Sequence, residues 1–405
     1  MFAVVNGVDD GVLAALASND NTNILYTQHY PTKADNMRKS FEAFSTMFGI
    51  GPDHATTANF IMNSAEGGAG REVLKRYLYG EKQLTKVFTE SAEEFTRLLA
   101  QWSSPQSVSE TVFTAGYRIL GKCALGFLVL PRSAYSTFQA MEKHVFTDPD
   151  VNSSSFKQAN INFLKYAETV INMNKDNILK GGNYIYDLLV QLVDKKGGKV
   201  EDYLNHKDVL SGGPSLFMAS GNPQALMSYA PYLLEKCDPR IREQARLEVA
   251  DGELTYDRIN NLCPGIERMY MELLRYVSGS NIVARYTDRY MVINNMDVSP
   301  GSHIIIPLRH ICNDAGKWEQ PGVFNPDRFV GEGKVLNKYP FLPYSIGSRM
   351  CLGQAYSRIM IMTFLACYLR GQYRFHSHQM GSFDISNDTA VIRMQEELSG
   401  WLEIR

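Results

Sequence analysis

The segment richest in chemistry runs Tyr344-Ser-Ile-Gly347-Ser-Arg349-Met-Cys351-Leu-Gly353, and a helical stretch from Leu352 to Leu369 follows at once. Gly347 permits a tight or left-handed turn ahead of the cysteine. Gly353 leaves room for a neighbouring group where the helix begins. Cys351 thus lies near a helix N-terminus, where unpaired backbone N–H groups and the helix dipole favour a thiolate over a thiol. Arg349 adds a fixed positive charge close by in sequence.

A thiolate so placed serves as a nucleophile or as a metal ligand. A hydrolytic cysteine wants a paired histidine. The nearest in sequence, His310 and His376, sit in no recognisable motif. A lone thiolate with no other sulfur or histidine beside it suits a haem, where the porphyrin supplies the equatorial nitrogens. The plain alternative is a buried cysteine in a glycine-rich turn.

The elements that must position this segment come from a chain of 405 residues, 44% of them hydrophobic, which is ample for a large core. With 41 basic and 43 acidic residues, the net charge of −2 points neither to nucleic acid nor to an acidic disordered tail. Aromatic residues (20 Phe, 22 Tyr) fit a large apolar interior or pocket. The six cysteines include no CxxC pair, which argues against a zinc ribbon or a thioredoxin-like site. Scattered as they are, they read as reduced and intracellular, and for most of them as core. No signal peptide or membrane span is visible, so the expected location is cytoplasmic or peripheral to a membrane.

Glycine clusters at Gly67–Gly70, Gly181–Gly182, Gly197–Gly198 and Gly212–Gly213 read as loops between helical segments. Glu81 to Trp102 reads as a helix. So does Ser215 to Lys236, although Gly221, Pro223 and Pro231 keep it from being straight. Pro264 can open a helix. Ile266, Met269, Tyr270, Leu273, Leu274 and Val277 then follow the spacing of an amphipathic face. Tyr290–Ile293 and His303–Leu308 are β-type runs bounded by Asn294-Asn295 and Pro300-Gly301. The expectation is one mainly α domain with a minor β region.

The cysteine segment resembles the haem-binding signature of the cytochrome P-450 family, Phe-x-x-Gly-x-Arg-x-Cys-x-Gly. Gly347, Arg349, Cys351 and Gly353 match, and Tyr344 replaces the usual Phe. Upstream, Glu272-Leu-Leu-Arg275 fits the family's Glu-x-x-Arg, a pattern that Glu94–Arg97 and Glu243–Arg246 also satisfy. Only Glu272–Arg275 precedes the strand region at a suitable distance from Cys351. Phe324-Asn-Pro-Asp-Arg328-Phe329 resembles the family's Pro-Glu-Arg-Phe segment.

The resemblance implies the cytochrome P-450 fold and haem b (iron protoporphyrin IX) with Cys351 as axial ligand. It implies a buried Glu272–Arg275–Arg328 network holding the cysteine loop, because a buried charge must be paired. Arg285 becomes a candidate partner for a haem propionate. So do Arg71 and Lys75, four apart on one helix face, although a solvated basic face explains those two equally well. Residues 1–405 are expected to form a single catalytic domain. It opens at Phe2-Ala-Val-Val-Asn, similar to an early strand of the fold, without the N-terminal anchor region.

The sequence also departs from the family. Where monooxygenases usually carry an acid–Thr pair in the central helix, this chain reads Ala219-Ser220-Gly-Asn222-Pro223. Asparagine donates and accepts hydrogen bonds but delivers no proton as a carboxylic acid does. Pro223 lacks an N–H and is expected to disturb the helix. Ser220 is a further hydroxyl at the same place. Gly-Asn here is similar to prostacyclin synthase and its relatives, and an asparagine also occurs in the allene oxide synthases, which rearrange peroxides. The leading expectation is oxidation of a lipophilic small molecule by a monooxygenase, in the manner of secondary metabolism. Its electrons would come from an NADPH-dependent reductase or a ferredoxin. The rivals are a peroxide isomerase or peroxygenase, and a non-catalytic haem-binding protein.

Overall fold

A computed structural model of the chain describes residues 2–4, 65–147, 150–287, 290–293, 296–331, 340–345, 350–378 and 398–404. The chain opens on strand β1 (Phe2–Val4). Helices α1 (Ala65–Leu78) and α2 (Glu81–Gln101), strand β2 (Gln106–Ser107) and helices α3 (Val108–Leu120), α4 (Ala134–Glu142), α5 (Ser154–Met173), α6 (Tyr184–Lys196) and α7 (Lys207–Gly212) follow. Next come α8 (Ser215–Ala219), α9 (Gly221–Lys236), α10 (Pro239–Leu247), α11 (Tyr256–Asn261) and α12 (Pro264–Val277). Strands β3 (Val283–Thr287), β4 (Met291–Ile293), β5 (Met296–Val298) and β6 (Ser302–Ile306) form the β-rich stretch. Helices α13 (Leu308–Cys312) and α14 (Gln354–Arg370) and strands β7 (Tyr373–His376) and β8 (Ser399–Ile404) complete the chain. The mainly α class with a minor β region is as the sequence predicts. No helix among the described residues is long and apolar enough to cross a membrane.

Three local expectations need correction. Gly67–Gly70 lies inside α1 rather than in a loop. Burial of Leu74, Tyr77 and Leu78 on the same helix outweighs the cost of about 1 kcal/mol that each helical glycine carries. Gly212 likewise ends α7 rather than sitting in a loop. Leu308 opens α13 instead of extending a strand, since Pro307 removes the N–H that a ladder needs.

Contacts divide the chain into two compact units interleaved in sequence. One comprises Met1–Asn21, Leu84–Ala115 and Asn222–Arg405, the other Thr22–Gln83 and Gly116–Gly221. The second unit is organised by aromatic side chains. Tyr117, Phe138 and Phe217 sit with ring centroids 5.1–5.2 Å apart, and Tyr166 meets Phe138 at 5.4 Å. Asn183 caps α6 by accepting from Tyr186 N–H at 2.9 Å. Gly126, at φ +76°, lets it approach, because a Cβ there would lie 2.9 Å from Asn183 Cγ.

The first unit carries the strands. β6 pairs parallel with β1 and antiparallel with β3, and β8 lies antiparallel between β2 and β7. Trp102 ties the end of α2 to β8, its indole donating to Gly400 O at 2.7 Å. At the centre is α12. Pro264 occupies its first turn, and the Glu248 carboxylate accepts from Gly265 N–H at 2.7 and 2.9 Å and from Ile266 N–H at 3.2 Å. All six residues of the expected apolar stripe are buried.

Glu272 and Arg275 are fully buried on the same helix. Arg275 donates through Nε and Nη2 to the two carboxylate oxygens of Glu272, each at 2.7 Å. Its remaining donors reach Cys312 O, Asn313 Oδ1 and Pro321 O at 3.0–3.2 Å. Glu272 Oε1 also accepts from Asn325 N–H at 2.8 Å and from Arg328 Nε at 3.2 Å. Arg328 lies in the turn Pro326–Phe329 and further donates to the carbonyls of Glu319, Gln320 and Val323. The three-residue network expected from the sequence is therefore formed and fully satisfied. The competing Glu94–Arg97 and Glu243–Arg246 pairs also form, at 2.6 and 2.7 Å, but Arg97 is 43% and Glu243 53% exposed.

Removing one member strands a buried charge, which costs about 3–5 kcal/mol. Glu272→Ala should therefore give little soluble protein. A Glu272→Ala variant that expresses and melts like the parent would show the charges to be dispensable.

Candidate functional site

The cysteine segment lies in the first unit, between the packed stretch Phe341–Ser345 and α14. Phe341, Leu342, Tyr344 and Ser345 are buried. The chain reverses at Ser345, whose N–H bonds Leu342 O at 3.0 Å and whose φ of 60° is unusual for a residue with a side chain. Residues 346–349 lie outside the described residues, and with them Gly347 and Arg349. The segment returns at Met350. Cys351 N–H then donates to Tyr344 O at 3.0 Å.

Gly353 is the N-cap of α14, and its carbonyl accepts from Ser357 N–H at 2.8 Å. Cys351 therefore stands just ahead of a helix N-terminus, as its sequence setting implies. A Cβ at Gly353 would lie 3.8 Å from Cys351 Sγ, so the glycine keeps the space beside the sulfur open.

The six cysteines divide sharply. Cys351 is exposed and the other five are buried. Burial pushes the thiol of Cys237 up to about 12, and those of Cys312 and Cys367 up to about 11. These three stay protonated and are poor ligands. The histidines nearest Cys351 on either side in sequence have settings of their own. His376 Nε2 lies 2.9 Å from Glu403 Oε2 and its ring stacks on Trp401, while His310 is exposed on α13. No cluster of three or more His, Cys, Asp or Glu gathers among the described residues. A single accessible sulfur fits a metal group that brings its own equatorial ligands.

Behind Cys351 lies a set of hydroxyls that the motif does not foretell. Tyr344 Oη is 2.8 Å from Tyr270 Oη on α12 and 2.9 Å from Ser357 Oγ on α14. Burial raises the pKa of both phenols, so both stay neutral. Tyr270 was legible only as part of an apolar stripe. Nothing in the sequence pairs it with a residue 74 positions away.

The central-helix residues fall on either side of a break. α8 ends at Ala219, Ser220 intervenes, and α9 starts at Gly221. The break falls four residues before Pro223, at Ala219, whose carbonyl the missing Pro223 N–H cannot bond in a continuous helix, so the helix is disturbed as the sequence implies. Pro223 itself sits in the first turn of α9, where a missing N–H is tolerated. Ser220, in the second unit, is buried and donates its hydroxyl to Phe217 O at 2.7 Å. Asn222, in the first unit, holds its Oδ1 buried with no hydrogen-bond partner, and a Cβ at Gly279 would meet Asn222 Cβ at 4.0 Å. An orphaned amide oxygen costs about 1–3 kcal/mol, so the site offers an acceptor to any group that brings a proton.

Arg285 lies on β3, opposite Ile304 in the ladder, and its side chain is outside the described residues. Arg71 and Lys75 lie on α1 in the second unit. Lys75 is exposed and pairs with Glu72, the behaviour of a solvated face.

Comparison with known proteins agrees with this geometry. The family profile described as Cytochrome P-450 matches residues 70–399. The probable cytochrome P-450 6a13 of Drosophila melanogaster is 30% identical over 193 residues, 45% of this chain and 39% of that protein. Human cytochrome P-450 3A5 is 24% identical over 219 residues, 51% of this chain and 42% of that protein. The matched stretch thus spans about two-fifths of the length of these relatives. Among solved structures, retinoic acid-bound cyanobacterial CYP120A1 superposes with a TM-score of 0.75 at 14% identity, covering 99% of this chain and 89% of that one. The fold is therefore the cytochrome P-450 fold, whose cofactor is haem with a cysteine thiolate as axial ligand. With a profile match across most of its length, the chain belongs to the cytochrome P-450 family.

Proposed function

We propose that this chain oxidises a lipophilic small molecule as a haem-thiolate monooxygenase, with Cys351 as the axial ligand. Electrons would come from a redox partner, either an NADPH-dependent reductase or a ferredoxin. The observation that carries the reading is Cys351 itself. It is the one exposed thiol of six, it stands just ahead of α14, and its N–H is fixed on Tyr344 O.

Haem held by a thiolate supplies oxidising chemistry that side chains lack, since the sulfur pushes electron density toward O–O cleavage. The chain's own residues hold and shape the site. Cys351 stands exposed just ahead of α14. Gly353 keeps bulk away from the sulfur. Arg285, Gly347 and Arg349 are proposed as haem-binding residues on their place in the family's sequence pattern. Asn222 is proposed to orient a water or a substrate oxygen through its unpartnered Oδ1. It accepts a proton-bearing group without delivering a proton of its own. Protons therefore have to arrive through that water or a substrate hydroxyl.

The same orphaned Oδ1 favours a second reading, a peroxide isomerase or peroxygenase similar to prostacyclin synthase or the allene oxide synthases. There Asn222 would hold a peroxide O–H, and no reductase would be needed.

Replacing Cys351 by Ser or His should abolish the thiolate-type Soret band of the reduced carbon monoxide complex; a surviving band would remove Cys351 from the role. Turnover with NADPH and a reductase, set against turnover of a hydroperoxide alone, separates the two activities. In the monooxygenase, Pro223→Thr should improve the coupling of NADPH use to product, since a threonine fits the first turn of α9 and restores a hydroxyl. In the isomerase, Asn222→Ala should lower peroxide turnover by about 10²-fold. If neither substitution alters either activity, the start of α9 does not face the reacting oxygen.

A further inference from the structure

We propose that Tyr344 is a positioning residue for the Cys351 sulfur, acting through a chain of hydroxyls that braces the cysteine segment against two helices. The proposal rests on the assignment of Cys351 as the axial ligand. The usual Phe at position 344 cannot form such a chain.

Ser357 Oγ lies 3.0 Å from Gln354 O, to which it can donate, and 2.9 Å from Tyr344 Oη. Tyr344 Oη in turn lies 2.8 Å from Tyr270 Oη. The three hydroxyls and the Gln354 carbonyl form one continuous chain. Each O···O separation is close to the most favourable for hydroxyl pairs. All three side chains are buried, so water does not compete for them.

The main chain of Tyr344 does a second job at the same point, because its carbonyl accepts from Cys351 N–H at 3.0 Å. The ring is held at its hydroxyl by α12 and α14. The backbone attached to that ring holds the ligand residue. Rotation of Tyr344 would therefore move Cys351, and the hydroxyl chain opposes that rotation. The arrangement also makes α12 a common support. Tyr270 braces the cysteine segment, and Glu272 and Arg275, on the next turn, hold the turn at Pro326–Phe329.

The test compares Tyr344→Phe, Tyr270→Phe, the double variant and Ser357→Ala as haem-loaded proteins. The measurement is the rate at which the thiolate-type Soret band of the reduced carbon monoxide complex converts to the thiol-type band on mild warming. Helical circular dichroism is followed in the same samples. Each single variant should convert about three- to tenfold faster than the parent while its helix content is unchanged, and the double variant should be no faster than either single tyrosine variant. Conversion at the parent rate in Tyr344→Phe, or additive effects in the double variant, overturns the proposal. Should Tyr344→Phe fail to fold, Ser357→Ala decides, because it removes one hydroxyl of the chain and leaves both rings in place. A parent protein with no thiolate-type band, or one that keeps the band after Cys351→Ser, instead overturns the assignment of Cys351, and this proposal with it.

Discussion

A carboxylate with no access to water must have every lone pair answered, and Glu272 is such a group. It accepts from two nitrogens of Arg275, from the backbone N–H of Asn325 and from Arg328. These partners come from α12 and from the irregular stretch near residue 325, so the requirement to satisfy one buried charge fixes that stretch on the helix. Replacing such a network by apolar side chains is often neutral for stability, whereas breaking it is not. Its structural value lies in direction. Hydrogen bonds specify one arrangement of an irregular segment, which apolar contact alone does not.

The cysteine segment depends on the same helix. α12 presents Glu272 and Arg275 to one segment and Tyr270 to another. The Tyr344 ring carries the second connection on to the first turn of α14. Burial separates the cysteines by role. Cys237, Cys312 and Cys367 lose the thiolate form to desolvation, while Cys351 remains exposed near a helix end.

The start of α9 shows how a backbone break and a side-chain change act together. The helix is interrupted at Ser220, and Asn222 follows with an amide oxygen that finds no partner. A buried polar group without a partner is costly and needs an explanation such as a ligand or an ordered water. An asparagine at this place can orient a group that carries a proton but delivers no proton of its own.

The sequence by itself determined what depends on short range. The Glu-x-x-Arg spacing brings the two groups together on any helix, and all three copies do form ion pairs. The stripe from Ile266 to Val277, the proline at the start of α12 and the cysteine just ahead of a helix were equally legible, because helical periodicity and capping are local. Tertiary structure decided which copy is buried, since burial is a property of what packs above a helix face and not of the face. It also placed Gly67–Gly70 inside a helix, where packing of α1 overrides the glycine preference. The Tyr270–Tyr344–Ser357 chain was invisible in the sequence. Its members are read there as an apolar stripe residue, a substituted motif position and an ordinary helix serine. Only folding brings three hydroxyls from separate segments within hydrogen-bonding distance, where exclusion of water leaves them to bond one another.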